Sequence, residues 1–103
     1  RPGEEQFTSS QSSLSQYIKR HSGIVVDYFQ QAGIVQVEVQ DHPLAVGDLI
    51  QIHGATTGVL ELSVPEIRRD EDRPSVAEKG SWVTFRAPRC RVGDKVYFME
   101  KRF

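Results

Sequence analysis

Between Ile34 and Gln40 the chain alternates cleanly: Val35, Val37 and Val39 are apolar, while Gln36, Glu38 and Gln40 are polar. A period of two places successive side chains on opposite faces of a strand, one dry and one wet. The run before it, Ile24–Phe29, is rich in β-branched and aromatic residues, and Gln30–Gly33 between the two reads as a turn. Together they predict a hairpin. Pro43 ends the second strand, because proline has no N–H to give a ladder. Asp48–His53 is the next strand, with Ile50 and Ile52 inward and His53 on the opposite face. Gly54–Gly58 (GATTG) is a turn-rich loop. Val59–Arg68 continues as strand with Leu60, Leu62 and Val64 on one face, and Pro65 predicts a bulge or an edge there.

The remaining pattern follows the same rule. Arg69–Pro74 (RDEDRP) is a charged loop, and Val76–Gly80 carries a short turn. In Ser81–Ala87, Val83 and Phe85 face opposite to Trp82 and Thr84. Pro88–Asp94 is a second loop, and Lys95–Lys101 is the last strand. The start of the chain differs. Arg1–Ser13 is rich in Ser, Gln and Glu and reads as a linker or disordered arm. Leu14, Tyr17 and Ile18 then fall at i, i+3, i+4, which predicts one or two turns of amphipathic helix capped by Ser12 or Ser13. The expected division is therefore an arm over residues 1–21, partly disordered or a short helix, and a β domain over 22–103.

About six strands, no long helix and a glycine at most corners predict an all-β fold. The simplest architecture is a small closed antiparallel barrel of six or seven strands, since closure removes exposed edges. Its expected core is Val35, Val37, Val39, Ile50, Ile52, Leu60, Leu62, Val64, Val83, Phe85, Val96 and Phe98. A chain of 103 residues suits one such domain.

The sequence Val-Gly-Asp occurs twice, in LAVGDLIQIHG (44–54) and RVGDKVYFMEK (91–101). Glycine supplies a positive φ without steric cost, and the aspartate accepts hydrogen bonds from nearby backbone N–H groups. Val46 and Val92 are expected to tuck beneath the turn. A phosphate-gripping loop needs more glycines, a lysine and a following helix, and neither copy has them. The flanking sequences do not match over a longer window, so the recurrence reads as one corner used twice and not as a duplicated domain.

Composition narrows the function classes. Hydrophobic residues make up 38% and charged residues 26%, ordinary for a globular protein, and no apolar run approaches a membrane span. The polar start is no secretory signal, and an Arg at position 1 in place of Met points to a fragment or processed product. Cys90 is the one cysteine, so an internal disulfide or a cysteine-rich cluster is excluded; it reads as a packing residue in a reducing, cytoplasmic setting. The net charge of −1 hides an asymmetry. Gly23–Pro65 holds five acids and no Lys or Arg, whereas Ser81–Phe103 holds six basic residues against two acids. Such a distribution leaves room for a local positive patch.

Catalysis finds little support. His21, His42 and His53 lie in separate segments without ligand-pair spacing, so no metal is expected. No G-x-S-x-G elbow supports a Ser–His–Asp grouping. Asp70, Glu71 and Asp72, flanked by Arg69 and Arg73, read as a solvated loop. The binding candidates are Arg86, Arg89 and Arg91, since arginine pairs with phosphate and stacks on bases. Trp82 and Tyr97 join them as aromatics expected on neighbouring strands with Phe98. His53, Thr56 and Thr57 form a second cluster after the first corner.

The order of these features resembles known proteins. Two Gly-Asp corners with Ala77-Glu78-Lys79-Gly80 between them resemble the second domain of the translational GTPases, typified by elongation factor Tu. A further likeness runs through Tyr28-Phe29, Ala32-Gly33-Ile34, VGD, IHGATT, AEKGSWV and CRVGDKVY. It resembles the C-terminal domain of the collagenase-like bacterial peptidase family U32. Ile52, Gly54, Thr56, Thr57, Arg91, Gly93, Asp94, Val96 and Tyr97 fit that pattern over roughly Gly23–Met99. Gly58-Val59 departs from it, where an Asp and an aromatic are common, as does Pro65 within SVPEIRRDED. The resemblance implies a barrel of translation-factor type that is not itself an enzyme. It implies a linked catalytic domain elsewhere in the parent protein, proteins named peptidases and some RNA hydroxylases being the known kinds. The expected role is a non-catalytic accessory module that positions tRNA or rRNA, with no cofactor of its own. The alternative is a protein-docking or oligomerisation module without a nucleic-acid role, in which the N-terminal arm takes part in self-association.

Overall fold

The computed structural model describes residues 17–101. Eight strands follow in order among them: β1 (Tyr17–Phe29), β2 (Ile34–Val39), β3 (Leu44–Ala45), β4 (Leu49–Gly54), β5 (Gly58–Ser63), β6 (Val76–Ala77), β7 (Trp82–Arg86) and β8 (Lys95–Lys101). Six of them form one antiparallel sheet in the order β5-β4-β8-β1-β2-β7, and β3 pairs with β6 in a small ribbon. Among the described residues no helix is long and apolar enough to cross a membrane.

β1 organises the sheet. Its first half pairs with β8 and its second half with β2, overlapping at Gly23 and Ile24. Two irregularities bend it, one between His21 and Gly23 against β8 and one between Val25 and Asp27 against β2. At the first, buried Ser22 turns its carbonyl to the N–H groups of Gln40 and Asp41, at 2.8 and 2.9 Å, and its hydroxyl to the His42 carbonyl. The expected helical turn at Tyr17 and Ile18 is therefore corrected: both are strand residues, paired with Lys101 and Glu100. A turn or two of isolated helix is costly to nucleate, and the ladder offered by β8 outcompetes it. Leu14 and the expected caps lie outside the described residues.

The alternating patterns become the core. Val35, Val37, Val39, Ile50, Ile52, Val64, Val83, Phe85 and Val96 are buried, as the period of two requires. Val25, Leu44, Ile67, Ala77 and Cys90 join them. Leu60, Leu62 and Phe98, expected inside, are only partly buried and pack against this cluster. For Leu60 and Leu62 the reason is position: β5 is an edge of the sheet.

The sheet has two edges, β5 and β7, so the expected closed ladder is not formed. β5 stops at Ser63, well short of Arg68, and Pro65 follows with no N–H to donate. The chain then crosses toward the other edge, where Arg68 and Thr84 make a single bridge of two backbone hydrogen bonds, 2.8 and 2.9 Å.

The two Val-Gly-Asp corners are built alike. Gly47 and Gly93 have φ of +96° and +95°. Asp48 Oδ2 accepts the Ala45 N–H at 2.8 Å, and Asp94 Oδ2 accepts the Arg91 N–H at 3.0 Å. Gly47 N–H donates to Val64 O and Val64 N–H to Asp48 O, both 2.8 Å; Gly93 and Asp94 repeat both bonds with Val25 at the same lengths. Each corner thus clamps a buried valine of another segment and launches a strand. Val46 and Val92 do not tuck beneath it: they are 48% and 67% exposed.

Candidate functional site

The outer face of β1, β8 and β4 gathers a group of polar and aromatic side chains around Tyr97. Register explains the meeting: Tyr97 on β8 pairs with His21 on β1 and Gln51 on β4, and Lys95 pairs with His53. All of these face away from the core, since their neighbours Ile50, Ile52 and Val96 are buried. The Tyr97 ring lies edge-on to His53, with centroids 4.8 Å apart, and edge-on to His21 at 5.7 Å. Lys19 Nζ stands 4.8 Å from the centre of the Tyr97 ring, within range of a cation–π contact.

Hydrogen bonds fix the two imidazoles. Gln51 Oε1 lies 2.9 Å from His53 Nε2 and accepts its proton, and Gln51 Nε2 donates to Glu61 Oε1 at 3.0 Å. That chain holds His53 as the Nε2–H tautomer while it is neutral. Burial, with the nearby Lys19 ammonium adding to it, pushes the His53 pKa below the usual imidazole value. His21 Nδ1 pairs with Asp41 Oδ2 at 2.5 Å.

The other sequence candidates are spread apart. Thr57 donates its hydroxyl to Asp94 Oδ2, so it belongs to the second corner, while Thr56 is exposed in the turn before it. Arg89 and Arg91 are exposed in the loop leading to that corner, beside Asp27, Tyr28 and Gln30. Trp82 and Arg86 lie at the two ends of β7, an edge strand. The expectation that Trp82 neighbours Tyr97 and Phe98 is corrected: β1 and β2 stand between β7 and β8. Phe98 shares β8 with Tyr97 but faces the other way, stacked on His42 with centroids 4.1 Å apart. Sequence reasoning missed Lys19, His21, Gln51 and Lys95 as neighbours of Tyr97. Their period of two in KRHS and LIQIH was visible, but the strand register that joins them was not.

Among the described residues no group of three His, Cys, Asp or Glu comes together as a metal site. Cys90 is buried, its thiol donates to Pro88 O at 3.1 Å, and burial followed by the Asp94 charge pushes its pKa up to about 11. Such a thiol is a packing group and no nucleophile.

These features define a class: an all-β domain with paired Gly-Asp corners and an outward cluster of polar and aromatic side chains around Tyr97. No family model matches the sequence. Curated relatives do. The chain is 34% identical over 85 residues to a collagenase of Porphyromonas gingivalis, covering 82% of this chain and 24% of that protein. It is 30% identical over 92 residues to an uncharacterized protease of Methanocaldococcus jannaschii, covering 88% of this chain and 22% of that one. The chain thus spans about a quarter of the length of the curated relatives it matches. Among solved structures, the C-terminal domain of a U32 peptidase of Geobacillus thermoleovorans superposes with a TM-score of 0.67. That match is 17% identical in sequence and covers 82% of this chain and 93% of that one. Its selenomethionine variant gives the same TM-score. The chain is thus similar in sequence to a part of proteins named collagenase and protease, and it shares its fold with the C-terminal domain of a U32 peptidase.

Proposed function

We propose that this domain is a non-catalytic accessory module of a larger collagenase-like protein, and that it holds single-stranded RNA, of tRNA or rRNA type, for the linked catalytic domain. The observation that carries the reading is Tyr97, an outward aromatic flanked by Lys19, Lys95, His21 and His53. An aromatic platform with cations beside it is what sequence-tolerant single-strand binders use: the ring takes a base and the ammonium groups take phosphates. A base arriving on Tyr97 displaces Lys19 toward the flanking phosphate. The small share of the relatives that the chain spans supports an accessory role. The Arg68–Thr84 bridge, reaching from beyond one sheet edge to the other, supports reading the fold as a barrel of translation-factor type.

The test is anisotropy of a labelled single-stranded RNA at two salt concentrations. Binding should weaken as salt rises, by a log–log slope of about 0.7 per phosphate contacted. Tyr97→Ala should cost about 1–3 kcal/mol, the worth of one base stack. If the wild-type chain binds no RNA even at low salt, the reading fails. A second reading, docking onto protein, is favoured by Trp82, which is 51% exposed on edge strand β7.

A further inference from the structure

β8 and the loop that feeds it carry a pattern of their own. Arg89, Arg91, Lys95 and Tyr97 stand at odd-numbered positions of this stretch; Cys90, Asp94 and Val96 between them are buried, and Val92 is exposed at the corner. Arg89, Arg91 and Lys95 are exposed. The corner at the head of β8 stays docked on β1: Gly93 N–H donates to Val25 O and Val25 N–H to Asp94 O, both 2.8 Å. Beyond that point Arg89 and Arg91 meet the far end of β1. There they line an open hollow of about 390 Å³ with Asp27, Tyr28, Gln30 and Val92.

The charges of the hollow favour an anion. Among the described residues neither guanidinium has a side-chain partner. Asp27 is the opposing acid, and its Oδ1 is engaged by the Tyr28 N–H at 2.7 Å. Asp94 behind the hollow is buried and taken up by the Thr57 hydroxyl and the Arg91 N–H, so the exposed lining carries two guanidinium forks against one partly engaged carboxylate, and Arg is well shaped to grip phosphate.

We propose that this hollow is a phosphate subsite, and that a bound single strand runs along the β1–β8 seam from Tyr97 to Arg91 and Arg89. The proposal rests on the RNA reading above and adds to it a path and a length. On β1, His21 pairs with Tyr97 and Asp27 lines the hollow; they are six residues apart on one strand, at most about 20 Å at roughly 3.3 Å per residue. A strand of about four nucleotides or more is needed to engage both ends, the lower limit of what small β domains cover.

The experiment compares oligouridylates of about three and about twelve nucleotides, lengths below and well above that limit. Each is titrated against the 103-residue chain and its Arg89→Gln/Arg91→Gln variant. The wild type should bind the long strand at least tenfold more tightly than the short one. In the double variant that gain should disappear, the short strand should bind as before, and the salt slope for the long strand should flatten by about 1.4, at about 0.7 per phosphate. Both arginines are exposed, so the variant should keep its fold, checked by circular dichroism. A double variant that retains both the length gain and the slope overturns the path while leaving Tyr97 as an RNA contact. A wild type that binds neither strand at low salt overturns both.

Discussion

The carboxylate of Asp94 fills the space that a side chain on Gly54 would need: a Cβ added there would collide with the carboxyl group. The two residues belong to the end of β4 and to the second corner, which Asp94 also ties to Thr57 and to the Arg91 N–H. Asp94 is 6% exposed, so its acceptors are matched inside the protein and not by water. Gly54→Ala should therefore push the carboxylate off both donors and destabilise the fold by about 2–3 kcal/mol, combining overpacking with unmet buried polar groups. Urea unfolding would read this as a lower midpoint. An unchanged midpoint would mean that the corner does not depend on that close fit.

Gly47 and Gly93, at φ of +96° and +95°, make the two corners a matched pair. Neither has an atom within 4 Å of an added Cβ, so space is not the issue. Alanine at either site should cost about 1–2 kcal/mol, from the backbone conformation alone. The two losses should be similar, because the bonds around the corners are the same. A loss at one site and none at the other would contradict their equivalence.

Cys90 should be slow to react in the folded chain. Its thiol, raised from 9.0 to about 11 by burial and by Asp94, stays protonated at pH 8. Disulfide-exchange reagents should label it far faster in denaturant than in the native protein. The same shift predicts that stability present below pH 9 declines as pH rises toward 11, since the unfolded thiol gives up its proton first. Rapid labelling of native protein at pH 8 would sink this account of the thiol.

His53 should titrate below the ordinary imidazole midpoint of 6.5. Burial is the larger cause and the Lys19 charge the second. Proton NMR of the ring should show a low midpoint in the wild type. In Lys19→Gln the midpoint should rise part of the way back, with the burial contribution remaining. Because protonation is disfavoured in the folded state, stability from this group is present near neutral pH and falls as pH drops below 6.5. A midpoint unmoved by Lys19→Gln would place that ammonium farther from His53 than the structure does.

Much of the fold was legible because period two is a local signal. The burial of Val35, Val37 and Val39, and of Ile50 and Ile52, follows from alternation alone. The corners were legible too, since glycine and aspartate at fixed spacing dictate a turn. Tyr17 and Ile18 misled because i, i+4 spacing and alternate spacing overlap over so few residues, and only the partner strand β8 decides between them. The site was half legible. Tyr97 and His53 were chosen from residue type, but their meeting depends on β4 and β8 being neighbours. Trp82 was placed beside them because β7 precedes β8 in sequence, whereas in the sheet they are three places apart. Strand order is a property of the whole chain, and no short window contains it.

The central claim is that the outer face of β1, β8 and β4 is the contact surface. Amide and side-chain NMR shifts of the labelled chain, recorded on titration with a single-stranded RNA of about twelve nucleotides, address it most directly. The account predicts shifts concentrated at Lys19, His21, His53, Lys95 and Tyr97 and extending to Arg91, with β7 unmoved. Shifts centred on Trp82 and Arg86, or none at low salt, would contradict it.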